Sequence, residues 1–157
     1  MKKITRIFSI LFIGLMLVLL TGCDSSSNGV KTSKSFTYNV ETGDKVKLTL
    51  DTSDNYDLTS SLPFTISKDD EDLTKGIFLT EGTHEYYKNA TKQGSNVKII
   101  DSGSKDGIDY IFYNYKDTEF NYVIKIKDSN TGILLGNNVS EESAKECFNR
   151  LEIECEK

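Results

Sequence analysis

Tryptophan is missing from this chain, and histidine and proline are present once each, as His84 and Pro63. A single histidine cannot serve both as the base of a nucleophilic triad and as part of a multi-histidine metal site. His84-Glu85 opens like a zinc-protease motif, but the second histidine would fall at position 88, which is lysine. One proline leaves no Pro-rich linker. Positive charge is also in short supply, with 19 Lys and Arg against 24 Asp and Glu. That balance excludes a nucleic-acid partner, whose binding requires a basic footprint that releases counterions. No apolar run is long enough to span a bilayer. The longest, Ile7 to Leu20, is interrupted by Ser9 and Gly14 and falls short of the roughly 20 residues a transmembrane helix needs.

That run is instead the length of a secretory h-region. Lys2, Lys3 and Arg6 precede it, and Leu20-Thr21-Gly22-Cys23 follows. The four residues resemble the bacterial lipobox: an aliphatic residue, two small residues and a cysteine. The resemblance implies signal-peptidase recognition at Leu20, Thr21 and Gly22, cleavage before Cys23, and a diacylglycerol on the Cys23 sulfur with a palmitate-like fatty acid. It places the protein at the cell membrane, lipid-anchored on the extracytoplasmic face. The membrane contact is then the acyl anchor, each buried methylene contributing about 0.8 kcal/mol. Removing residues 1–22 takes away three basic residues and no acidic one, so net charge moves from −5 to −8. Docking on anionic lipid by charge is thereby excluded.

Residues 23–34 are Ser-rich, with Val30 as the one aliphatic side chain, and cannot bury enough surface to offset ordering. They read as a flexible tether. Residues 35–157 have the size of one domain with one core.

Within it, strand signals dominate, and Tyr and Phe number eight each in the chain. Phe36, Tyr38 and Val40 alternate, Glu41 to Asp44 turns, and Val46, Leu48 and Leu50 alternate again, which predicts a hairpin. Asp51 to Asp57 reads as a turn. Leu62 to Ile66 is a strand candidate that Pro63 pushes to an edge, and Gly76 to Thr80 is a short buried strand. Glu81 to Thr91 has helical spacing with Thr83 as cap and Gly94 as stop. Val97 to Ile100, Ile108 to Tyr115, Phe120 to Lys127 and Ile133 to Leu135 are further strands. Ser140 caps a helix with Glu141 and Glu142 in its first turn and Ala144, Cys147, Phe148 and Leu151 along its apolar stripe. Leu151 to Cys155 alternates as a closing strand.

This order predicts the α+β class: an antiparallel sheet of about six to eight strands covered by two helices. The capped helix running through Phe148-Asn149-Arg150-Leu151 toward Ile153 resembles the end of PsbP-like domains, which implies a final helix crossing an antiparallel sheet. Such domains often carry Pro-x-x-Trp after the first strand, and this chain has no tryptophan. Members of that family are mostly small accessory or unassigned exported proteins, so the resemblance implies architecture and no activity.

Cys147 and Cys155 remain once Cys23 is assigned. An extracytoplasmic setting permits a bridge between the last helix and the closing strand. The alternative is that Cys147 is a small core residue and Cys155 lies at a frayed end. Their spacing is not C-x-x-C, and Glu146, Glu154 and Glu156 disfavour a thiolate. Asp69-Asp70-Glu71-Asp72, Asp101 to Gly107 and Asp128 to Gly132 lack the ligand alternation of a calcium loop and read as solvated turns. His84 reads as a lone surface residue. No metal, cofactor or catalytic residue is assigned.

Tyr110 to Tyr115 carries bulky side chains on both faces. Ile111, Tyr113 and Tyr115 therefore form a candidate interaction surface for a protein, peptide or glycan, unless a helix covers them. The expected function is that of a membrane-anchored, extracytoplasmic, non-catalytic binding domain for an unknown protein or small ligand. The alternatives are a cell-envelope enzyme without a recognisable motif and a structural or inhibitory lipoprotein.

Overall fold

The first hairpin forms as its alternation dictates. β1 (Ser33–Asn39) pairs antiparallel with β2 (Lys45–Asp51), setting Phe36 opposite Leu48 and Tyr38 opposite Val46. The computed structural model describes residues 32–156, so Leu20, Thr21, Gly22, Cys23 and most of the expected tether lie outside the described residues. The closing strand β10 (Leu151–Glu156) joins the other edge of β2, with Leu151 opposite Leu50 and Ile153 opposite Leu48. These three strands form a small sheet of their own, in the order β1-β2-β10.

The other seven strands form a second sheet, in the order β3-β4-β5-β9-β8-β7-β6, with every pairing antiparallel. Its members are β3 (Tyr56–Leu58), β4 (Phe64–Lys68), β5 (Glu71–Leu79), β6 (Val97–Lys105), β7 (Ile108–Tyr115), β8 (Glu119–Ile126) and β9 (Gly132–Asn137). The class is α+β, as expected, and the seven-stranded antiparallel sheet falls within the expected six to eight strands, with the three-stranded sheet in addition. Three segments expected as turns are partly strand. Tyr56–Leu58 pairs with β4, and β5 begins at Glu71, directly after a two-residue turn at Asp69 and Asp70. Both of those residues have positive φ, as a twist-matched hairpin turn requires, and a short acidic side chain tolerates that region. Likewise β6 continues to Lys105, and only Asp106-Gly107 makes the turn.

Alternation splits the large sheet into two faces. Phe64, Ile66, Phe112, Tyr122, Ile124, Ile133 and Leu135 pack with Val46, Leu48, Leu50 and Ile153 of the small sheet in one core. Helix α2 (Glu141–Arg150) lies on the same side and inserts Ala144, Cys147 and Phe148; the Phe148 ring stacks on Tyr122 at 4.1 Å. Gly76 lies beneath Phe64, whose ring occupies the space a Cβ would fill. The start of α2 is fixed by buried Asn137. Its Nδ2 donates to Thr74 and Ser143 at 3.0 Å each, while its Oδ1 accepts from the Val139 and Ser140 amides. The Ser140 hydroxyl caps the helix by accepting from the Ser143 amide.

The two sheets are also tied at one end. Asp44, in the β1–β2 turn, accepts hydrogen bonds from the Ser129 hydroxyl at 2.6 Å, the Thr131 hydroxyl at 2.8 Å and the Asn130 amide at 3.2 Å, all in the β8–β9 connection. On the opposite face of the large sheet lies helix α1 (Glu81–Gln93). Its cap is Thr80, whose hydroxyl accepts from the Thr83 amide, so the capping residue stands three positions before the Thr83 expected. Among the described residues no helix is long and apolar enough to cross a membrane.

Candidate functional site

Helix α1 meets the sheet where a strand residue leaves room. At Gly132 of β9 an added Cβ would lie 2.9 Å from the His84 ring, so the glycine lets the helix approach closely. His84 is consequently 5% exposed, which corrects its reading as a surface residue. Helical spacing alone does not tell which side faces the sheet, and the histidine is on that side. Burial depresses its pKa, opposed by Glu85 and assisted by Lys125 and Lys88.

The same strand faces carry the candidate interaction surface, and α1 changes it. Tyr113 is 8% exposed, Ile111 and Tyr115 are half-buried, and the three do not form one open patch. Ile111 lines a small hollow with His84, Glu85 and Lys88. Tyr113 and Tyr115 line a groove of about 440 Å³ between α1 and strands β6 to β9. Tyr86, Tyr87, Glu119 and Asn121 complete its main wall. Tyr86 and Tyr87 are in edge-on contact, ring centroids 5.6 Å apart, and the Lys116 ammonium sits 5.0 Å above the Tyr115 ring. Burial pushes the Tyr113 phenol up to about 12, with Tyr87, Glu119 and Tyr115 adding to the effect, so it is a neutral hydroxyl at physiological pH.

Two polar groups on this wall are unusual. Asn121, on β8, is 8% exposed, and its carboxamide makes no hydrogen bond with any described residue. The Tyr113 hydroxyl likewise has no partner among the described residues. Yet no fully enclosed side-chain polar atom among the described residues goes unpaired. The polar atoms of Asn121 and Tyr113 therefore reach solvent through the groove. A second groove of about 460 Å³ shares Glu119 and Asn121 with the first and continues past Gly136 toward Lys75 and Val139. An added Cβ on Gly136 would lie 3.2 Å from Asn121 Oδ1, so this glycine keeps the carboxamide unobstructed.

Asn121, Glu119, Tyr86 and Tyr87 did not stand out in the sequence as site residues. One signal was available: on the non-core face of β8, Asn121 is a neutral amide next to Val123, where either a charge or an apolar group is the more usual choice.

Arg150 lies beside another hollow, of about 490 Å³, near the start of β1, but its donors are engaged. They reach the Ser53 carbonyl and hydroxyl at 3.1 and 2.8 Å and Asp54 at 2.6 Å, while the guanidinium stacks 4.1 Å from the Tyr56 ring. Tyr56 in turn donates to Glu146 at 2.6 Å. This arrangement clamps α2 to the β2–β3 connection. Cys147 is fully buried, its thiol pushed up by burial, and Cys155 is half-buried on β10; both are free thiols in this structure. Among the described residues no group of three or more His, Cys, Asp or Glu side chains is placed to hold a metal ion. No family model, no curated protein and no solved structure matches this chain.

Proposed function

We propose that this protein is a lipid-anchored, extracytoplasmic binding protein that holds a ligand in the groove beneath α1 without transforming it. One observation carries the binding role: Asn121 and Tyr113, each about nine-tenths buried, turn polar atoms without protein partners into one groove. Because these atoms reach solvent through the groove and no protein group satisfies them, a ligand's polar groups can take the place of water there. The groove's character agrees, since it is concave, largely aromatic and has few polar groups. His84, the general base a hydrolase would first call on, lines a different hollow. The anchor is supported by Leu20-Thr21-Gly22-Cys23 and the basic and apolar segments before it.

Both halves are testable on the full chain. Wild type expressed with a clickable fatty acid is expected to be labelled and membrane-bound, and Cys23→Ala to be unlabelled and retain its leader. Equal membrane binding without label in both proteins refutes the anchor. For the groove, amide exchange of the purified protein with and without cell-envelope extract is expected to show protection over residues 81–93 and 113–121. Unchanged exchange there, at every extract concentration, refutes the binding role.

A further inference from the structure

Resting on that binding role, we infer that the groove takes a neutral saccharide chain. Charge limits the choice first. Glu119 is the one acidic side chain on the wall. An anionic ligand would meet that carboxylate, while Lys116, a cation beside the wall, is engaged over the Tyr115 ring. Lys75, in the adjoining groove, is 3.5 Å from Asp72 and so is already matched with an acid.

The polar groups limit it further. A carboxamide both donates and accepts, and so does a phenolic hydroxyl. Asn121 and Tyr113 therefore match ligand hydroxyls, which also donate and accept, and a carboxylate such as Glu119 accepts from the same kind of group. An extended peptide asks for something different. It binds sheets by adding a strand at an edge, whereas here β7, β8 and β9 are paired on both sides and the groove crosses their faces, meeting the edge strand β6 only at Val97. A peptide backbone lying there would leave most of its amides without partners.

Tyr86, Tyr87, Tyr113 and Tyr115 supply the remaining element. Rigid rings with polar tips offer apolar area at low entropic cost, which suits the flat C–H face of a pyranose. The two grooves lie side by side, both lined by Glu119 and Asn121, and together offer the length that a chain of sugars needs and a single ring does not.

The test uses the full chain in a polyoxyethylene detergent, which has no sugar headgroup to compete. The protein is applied to an array of neutral glycans, their uronic-acid counterparts and unrelated peptides, and the best neutral glycan is then titrated calorimetrically. Retention of neutral glycans over acidic ones is expected, with Asn121→Leu and Tyr113→Phe each weakening the titrated affinity about tenfold. Neither variant removes a protein hydrogen bond, so circular dichroism and the unfolding midpoint are expected to stay near wild type. Retention of no neutral glycan, equal retention of acidic ones, or wild-type affinity in both variants overturns the saccharide assignment. Retention of peptides alone, displaced by Tyr113→Phe, overturns it while leaving the binding role standing. Empty arrays together with unchanged amide exchange remove both.

Discussion

Replacing Asp44 tests how the two sheets are held together. Its carboxylate accepts from Ser129, Thr131 and the Asn130 amide, joining the β1–β2 turn to the β8–β9 connection. Hydrogen bonds to a charged group contribute roughly 1.5–3 kcal/mol each in a dry site. Asp44 is half-exposed, so solvent screening brings the whole set to about 2 kcal/mol on Asp44→Ala. For a domain of this size that is roughly 6–10 °C in Tm. The pH dependence separates this cause from generic damage. The hydroxyls of Ser129 and Thr131 hold the Asp44 carboxyl below its ordinary pKa. A depressed carboxyl binds its proton in the unfolded chain first, so its contribution is complete above the unfolded value of about 3.9 and is lost as pH falls through the folded one. Urea unfolding of wild type and Asp44→Ala is therefore expected to show a constant stability gap from pH 7 to pH 5 that closes toward pH 2. A gap unchanged at pH 2.5, or one under 0.5 kcal/mol at pH 7 where about 2 is expected, would refute the reasoning.

Two further outcomes follow from buried groups. His84 has a depressed folded pKa, so the unfolded chain takes up its proton first as pH drops below about 6.5; wild type should be less stable at pH 5.5 than at pH 7.5, with His84→Gln showing little difference, and equal pH dependence in both would place the effect elsewhere. Cys147 is fully buried with a raised pKa while Cys155 is half-buried, so iodoacetamide followed by peptide mass mapping should modify Cys155 in the folded protein and Cys147 only in urea. Equal rates in the folded state would contradict the packing of α2, and no labelling of either in urea without reductant would reveal a bridge.

The elements legible in the sequence were those whose signal is local. Phe36, Tyr38, Val46, Leu48 and Leu50 have a period of two that survives intact as β1 and β2. Ser140 and the Ala144, Cys147, Phe148 stripe specify α2 down to its cap. What stayed hidden depends on partners far along the chain. Tyr56–Leu58 is too short to announce a strand and becomes one because β4 pairs with it. The division into two sheets follows from β10 choosing β2, a pairing between segments about a hundred positions apart that no window of sequence contains. The site behaves in the same way. Tyr113 and Tyr115 were visible as bulky residues off the core face, but the groove also needs Tyr86 and Tyr87 from α1 and the clearance at Gly136, which only the packed fold assembles.

The β1-β2-β10 sheet has a consequence for the order of events in folding. Leu50 and Leu48 at the centre of that sheet wait for Leu151 and Ile153, about a hundred positions further along the chain. Contacts that distant carry a large loop-closure cost, and chains dominated by them fold slowly. A nascent chain lacking β10 has the second edge of β2 open, so closure of the small sheet comes late in folding.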